Sequence, residues 1–399
     1  MRLRLAAAGI VAALALTACG GTLPDNLRGE DSHSSSHGAA SSPEKAPASA
    51  KPTKPEEPEV ALRKGEAFQE ISMAAKYTPK APFGSGTDDY RCFLVDPKFA
   101  QDMIVSGVKV MPDNPDAVHH VILYKVEPQD VAAAKAQDAR DEGDGWTCFG
   151  GTGIKGGAAS QINSAEWVAA WAPGGGERVM AEDIGIPLAK GSQLVMQMHY
   201  NLLVGDGPDQ SSARLRLTPA AAGTKTPLQT MLLPAPVELP CRKGTPGELC
   251  ARTPAVADIR ARFGEQVATA DLLHLLCGEL KPGPTQSCTR PVTQAGQIRA
   301  VAGHMHLLGK SITVDVNKGT PQAKRVLDIP VWNFDDQDAI PLPKPQPITK
   351  GDTLTVTCTH DQAMRDVLPA YEGTRERYVA WGEGTTDEMC LGVVLLTRG

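Results

Sequence analysis

The sequence of 399 residues contains no run of basic residues, no CxxC pair and, beyond its N-terminus, no apolar stretch of the about 20 residues needed to cross a bilayer. With a net charge of −6 and no basic patch, it carries no electrostatic footprint for nucleic acid, which is not expected as a partner. The missing CxxC removes zinc ribbons and thioredoxin-type redox sites. There is no GxSxG elbow, no HExxH helix and no P-loop, which argues against the common hydrolase, zinc-peptidase and nucleotide-binding designs.

What is present starts at the first residues. Arg2 and Arg4 form a short basic region, an apolar stretch runs from Leu5 to Leu16, and Leu16-Thr17-Ala18-Cys19 follows. This is the pattern of a bacterial lipoprotein signal peptide over residues 1–19, with Cys19 the lipidated residue; an ordinary cleaved signal peptide is the alternative. The expected localisation is therefore extracytoplasmic, anchored to the cell membrane through Cys19. Residues 20–65 are rich in Ser, Pro, Ala, Lys and Glu and read as a disordered tether, too poor in apolar residues to offset the entropy of ordering. His33 and His37 fall in this tether and read as solvated linker residues.

The rest of the chain is long enough for two domains, expected at 66–220 and 221–399, with the boundary in the polar stretch Thr218 to Thr226. Its apolar runs are short and strand-like: Val118 to Val126, Leu194 to Leu202, Ala213 to Leu217, Ile312 to Val316 and Thr353 to Thr359. Many short strands separated by Gly/Pro turns point to an all-β fold of sandwiches or barrels. Helix is expected only at Gln129 to Arg140 and Val256 to Leu276, the second broken near Gly264. Without Cys19 eight cysteines remain, an even number that favours four disulfides in an exported chain. For the insertion, nested pairing (Cys250 with Cys277, Cys241 with Cys288) and sequential pairing (Cys241 with Cys250, Cys277 with Cys288) both fit.

The histidines carry the chemistry. His304-Met305-His306 places two imidazoles two residues apart, on one face if the segment is a strand, where they can converge on one ion. His119 and His120 are adjacent and point to opposite faces in a regular strand; they can share a metal only at a strand end or a bulge. His199 lies in the apolar run Val195 to Tyr200, with Gln197 two residues earlier on its face as a residue that orients it from behind. Met389, beside Cys390, offers a thioether, which favours Cu(I) over hard cations. His274 and His360 have no ligand-spaced partner and read as structural or surface residues.

Taken in order, Asp88-Asp89-Tyr90-Arg91-Cys92, His119-His120, Gln197-Met198-His199-Tyr200, His304-Met305-His306-Leu307-Leu308-Gly309 and Asp387-Glu388-Met389-Cys390 resemble the copper type II ascorbate-dependent monooxygenases, the family of the peptidylglycine alpha-hydroxylating and dopamine beta-monooxygenases. The resemblance runs from about Asp88 to the C-terminus. It implies two jelly-roll-like β-sandwich domains facing across a solvent-filled cleft; the small helical insertion expected in the second, from Cys241 to Cys288, has no counterpart in the resemblance. It also implies two coppers per chain, one held by His119, His120 and His199 and one by His304, His306 and Met389, and disulfides Cys92 with Cys148 and Cys358 with Cys390. The implied activity is hydroxylation of a substrate C–H bond with O2 and a one-electron donor such as ascorbate. Oxygen would react at the His304, His306 and Met389 centre, and the other copper would supply the second electron. A non-catalytic surface copper-binding protein is the competing reading. Two departures argue against a peptide ending in glycine as substrate: Ala302 stands where the peptide-amidating members have a carboxylate-binding arginine, and Leu391 where they have an asparagine. The organic substrate itself is left unidentified.

Overall fold

The computed structural model describes residues 59–84, 86–154, 167–223, 225–264, 268–279 and 281–398. The signal peptide with Cys19, and the tether as far as residue 58 with His33 and His37, lie outside the described residues.

The fold is mostly β. Among the described residues, the first half contributes β1 (Ala67–Ser72), β2 (Asp88–Val95), β3 (Met103–Met111), β4 (Val118–Val126), β5 (Trp146–Thr147), β6 (Trp167–Trp171), β7 (Arg178–Val179), β8 (Ile184–Leu188), β9 (Gln193–Asn201) and β10 (Ser212–Pro219), with the helix α1 (Val131–Asp138). The second half contributes β11 (Thr226–Pro234), β12 (Glu238–Leu239), β13 (Thr285–Pro291), β14 (Gly296–His304), β15 (Gly309–Val316), β16 (Lys324–Ile329), β17 (Ile340–Ile348), β18 (Thr353–His360), β19 (Val379–Ala380) and β20 (Leu391–Arg398). Two helices, α2 (Arg252–Phe263) and α3 (Thr269–Cys277), form the insertion. The expected Gln129 to Arg140 helix is shorter at both ends. Gly264 closes α2 in the left-handed conformation, φ 63°, which a side chain would strain, so the long helix read from the sequence is two.

Two β-sandwiches result. In the first, the sheet β5-β2-β9-β4-β6 faces strands β1, β10, β3 and β8. Inward residues such as Val121, Leu123, Met196 and Met198 from one layer and Val105, Val108, Leu215 and Leu217 from the other share one apolar core. In the second, β13-β18-β15-β16 faces β11-β20-β14-β17 over a core that includes Ile312, Val314, Val356, Val301 and Val394. Gly303 is needed here: a Cβ would lie 2.7 Å from Ile312 Cγ2, so the layers close tightly just before His304. The sandwiches share a sheet edge, because β8 and β11 pair in parallel through Ile184 with Thr226 and Gly185 with Pro227.

Disulfides fasten the sheets and the insertion. Cys92 on β2 bonds Cys148, and Cys358 on β18 bonds Cys390, the residue just before β20. In the insertion the pairing is sequential, Cys241 with Cys250 and Cys277 with Cys288, so each bond closes a short local loop and the nested alternative does not form.

Candidate metal centre

The first cluster is built by a defect in β4. The register against β9 pairs Val118 with Tyr200 and then His120 with His199, so His119 is an extra, bulged residue. The bulge breaks strict alternation and lets two adjacent imidazoles face one point. His199, opposite His120, supplies the third ring. The Nδ1 atoms of His119 and His199 are 3.2 Å apart, those of His120 and His119 3.3 Å, and those of His199 and His120 3.2 Å. A point equidistant from the corners of such a triangle lies roughly 1.9 Å from each nitrogen, close to an ordinary metal–imidazole distance of about 2.0 Å. The three histidines form a group able to hold a metal ion.

The surroundings prepare these rings to be ligands. His199 Nε2 is 2.9 Å from Asp88 Oδ1, both side chains fully buried. A proton on Nε2 donated to Asp88 leaves the Nδ1 lone pair directed at the cluster. Burial raises the Asp88 carboxyl, but hydrogen bonds from His199 and Thr385 hold it below its usual value, so it stays ionised. Burial lowers His199 despite Asp88, and it lowers His120 far below an ordinary histidine, with the neighbouring histidines adding to the effect. These are neutral imidazoles, the form that binds metal. Tyr90 stacks on His199 with centroids 4.0 Å apart, and Phe334 stacks on His119 at 4.4 Å.

The second cluster stands at the end of β14. His304 is the last residue of the strand and His306 lies in the turn before β15, so the pair is not carried by one regular strand as its spacing predicts. Their rings are nonetheless neighbours, with centroids 5.2 Å apart, while Met305 between them is buried in the core. His304 Nδ1 lies 2.6 Å from Gln337 Oε1, and the Gln337 amide is oriented by its own bond to the Phe334 carbonyl at 2.8 Å. His306 Nδ1 faces the Asp387 carbonyl at 3.3 Å. Each ring that donates from Nδ1 keeps its lone pair on Nε2. The Nε2 of His306 is buried with no hydrogen-bond partner, the condition of a ligand atom awaiting its ion. Burial, followed by His306, lowers His304 to about 3.

Met389 is buried beside this pair and lines one cavity with His304 and His120. Its backbone is fixed on both sides: its N–H donates to Glu388 Oε2 at 3.2 Å, its carbonyl faces His360 Nε2 at 3.2 Å, and Cys390 is tied to β18. Glu388, fully buried, also accepts the backbone N–H groups of His306 and Leu308. One carboxylate therefore sets the positions of both the histidine turn and the methionine. Asp387 receives Arg262 of α2 through two nitrogens, at 2.5 and 3.0 Å, which connects the insertion to the carbonyl behind His306.

The two clusters are adjacent. The rings of His120 and His304 are 5.5 Å apart, where a solvent-filled cleft between the sites was expected. Contacts between the sandwiches close that gap: Thr385 donates to Asp88, the Tyr90 hydroxyl donates to the Glu383 carbonyl at 2.9 Å, and Phe334 covers His119.

Gln197 does not take the role expected from its position. Its carbonyl oxygen accepts the Tyr124 hydroxyl and its amide faces the Cys148 carbonyl, each at 3.3 Å. The carboxylate that reaches His199 is Asp88 on β2, a diagonal neighbour whose register partner is Asn201, while Tyr90, directly opposite His199, stacks on its ring. His274 bonds Glu238 and His360 bonds Glu388 and the Met389 carbonyl, so both serve the framework.

Comparison with known proteins follows the same lines. Residues 283–395 match the family described as copper type II ascorbate-dependent monooxygenase, C-terminal domain. No curated protein matches the chain. Among solved structures, the fucolectin from striped bass (Morone saxatilis) serum is 9% identical, over 79% of this chain and 84% of that one, with a TM-score of 0.18. The infectious bursal disease virus VP2 subviral particle is 8% identical, over 86% and 74%, also at 0.18. Procruciferin, an 11S globulin from Brassica napus, is 10% identical, over 83% and 84%, at 0.17. Scores this low carry no argument about this chain.

Proposed function

We propose, from the match of residues 283–395 to the C-terminal domain of the copper type II ascorbate-dependent monooxygenases, that this protein hydroxylates a C–H bond of an organic substrate. The balanced reaction takes R–H, O2, two electrons and two protons to R–OH and water, with the electrons from a one-electron donor such as ascorbate. The observation that carries the reading is the convergence of the Nδ1 atoms of His119, His120 and His199 on one point, with His120 beside a histidine pair in which His306 Nε2 is buried without a hydrogen-bond partner.

His119, His120 and His199 would hold one copper through Nδ1, and His304, His306 and Met389 a second. Bound there, copper supplies the one-electron redox chemistry and the reaction with oxygen that no side chain offers. The thioether of Met389 suits the reduced ion. Asp88, Gln337 and the Asp387 carbonyl hold the ring protons away from the ligand nitrogens. Tyr90 and Phe334 stack on His199 and His119, and the Thr385 segment holds Asp88 from the other sandwich. The protein's part is thus to fix ligands, keep them unprotonated and admit substrate from the cavity at His304.

The test is copper stoichiometry of the full chain, wild type and Met389→Ala, followed by ascorbate-driven oxygen consumption. The expected result is two coppers per wild-type chain and oxygen consumption that collapses in the variant. Two coppers with no oxygen chemistry would support a copper-binding surface protein instead, and the absence of tight copper would refute both. We also propose that Cys19 is lipidated and anchors the protein outside the cytoplasm, supported by Arg2, Arg4 and the apolar run that leads into it. Cys19→Ser should then move the protein from the detergent phase to the aqueous phase; unchanged partitioning refutes the anchor.

A further inference from the structure

We propose that the substrate is a neutral, predominantly apolar small molecule held in the cavity that adjoins His304 and Met389. This rests on the monooxygenase reading above. The cavity measures about 510 Å³, within the range that buries most of a small organic ligand. It lies between the sandwiches: Ile122, Trp167 and Trp171 come from the first, and Leu232, Leu391 and Val393 from the second. His120, His304 and Met389 share the lining, so a bound molecule meets both clusters.

Four polar groups of the lining are engaged with protein, while the Trp381 indole N–H has no hydrogen-bond partner among the described residues and could donate to a neutral acceptor. The Tyr124 hydroxyl donates to Gln197, and the Trp171 indole N–H donates to the Gly175 carbonyl at 2.8 Å. Arg178 is paired with Asp338 at 2.6 Å, and Arg299 with Asp183 at 2.7 Å. A carboxylate entering this space would lose its hydration while both arginines already hold acids, and burying an unpaired charge is costly. Ala302 and Leu391 add apolar surface to the wall beside His304 and Met389. Glu383 also lines the cavity, which is why an ammonium probe belongs in the test.

The test uses the metal-free full chain, so it depends on neither copper nor oxygen. The neutral fluorophore N-phenyl-1-naphthylamine is titrated against hippurate, a carboxylate, and phenethylammonium, a cation. The neutral probe should bind once per chain and at least tenfold more tightly than either charged one. Val393→Trp and Ala302→Leu, which fill the cavity, should each weaken it at least tenfold. If either variant fails to fold, energy transfer decides the location: the bound probe should quench tryptophan emission, and Trp171→Phe should reduce that quenching. Equal or tighter binding of a charged probe overturns the proposal, as does unchanged affinity in folded cavity-filling variants or quenching indifferent to Trp171. Loss of this result with two coppers and oxygen chemistry intact would refute the substrate class alone. The reverse outcome would refute the oxidation chemistry and leave a cavity for apolar ligands.

Discussion

Replacing Asp88 with asparagine separates the orienting role of this carboxylate from its role as a bridge. Oδ1 of Asp88 accepts His199 Nε2 at 2.9 Å, the Thr385 backbone N–H at 2.9 Å and the Thr385 hydroxyl. Asparagine keeps the shape and one acceptor oxygen, and it removes the charge. A hydrogen bond to a charged group contributes about 1.5–3 kcal/mol and a neutral one about 1, so the variant should lose about 1–2 kcal/mol for the strongest of these bonds. The effect on metal is more specific. Without the carboxylate, His199 is a weaker base and its tautomer is less firmly set, and loss of such a partner typically lowers metal affinity 10–100-fold. Competition with a Cu(I) chelator under anaerobic conditions should therefore show one of two coppers weakened by about 10–100-fold and the other unchanged. The pH dependence has a fixed sign. Asp88 has a depressed carboxyl, so its stabilisation is present above the unfolded value of about 3.9 and is lost as pH falls through the folded value. The stability gap between wild type and Asp88→Asn should therefore be constant from neutral pH to about pH 5 and narrow only below about pH 4. If copper affinity is unchanged while stability falls, Asp88 is only a bridge to Thr385 and the orienting argument is wrong.

Three further outcomes follow from the same contacts. Arg262→Ala leaves buried Asp387 without its partner and should cost about 3–5 kcal/mol in denaturant unfolding; a loss below about 1 kcal/mol would show the pair to be solvent-screened. The metal-free chain should lose stability as pH falls from about 6.5 toward 3, because His304, His120 and His199 stay neutral when folded but bind protons when unfolded. A melting temperature that is flat or rises over that interval contradicts the neutral imidazoles. The double variant Cys358→Ala/Cys390→Ala should release Met389 and reduce bound copper from two toward one, measured by metal analysis after dialysis; retention of both would show that Glu388 alone holds the thioether in place.

What could be read in the sequence is what lies close along the chain. His119 and His120 are adjacent, and the rule of alternation demanded a bulge or a strand end there; both are found at the start of β4. The strand-like runs and Gly264 were legible for the same reason, since each depends on a few neighbouring residues. The insertion's disulfides were open because cysteine spacing alone admits either pairing. The residues that tune the ligands were hidden because each acts across sheets or across the two sandwiches. Asp88 reaches His199 from a neighbouring strand, Phe334 covers His119 from a turn far along the chain, and Arg262 reaches Asp387 from the inserted helix. The 5.5 Å approach of His120 and His304 is of the same kind. It follows from the fit of two packed surfaces, joined by the β8–β11 pairing and by Asp88 with Thr385, and no local pattern encodes it. The contacts that bring the two clusters together also build the outer arrangement of the first: Asp88 faces His199 on one side and Thr385 on the other. Closure between the sandwiches and ligand orientation are therefore one structural state, and loosening the Thr385 segment should disturb the His199 ring even though no ligand has been altered.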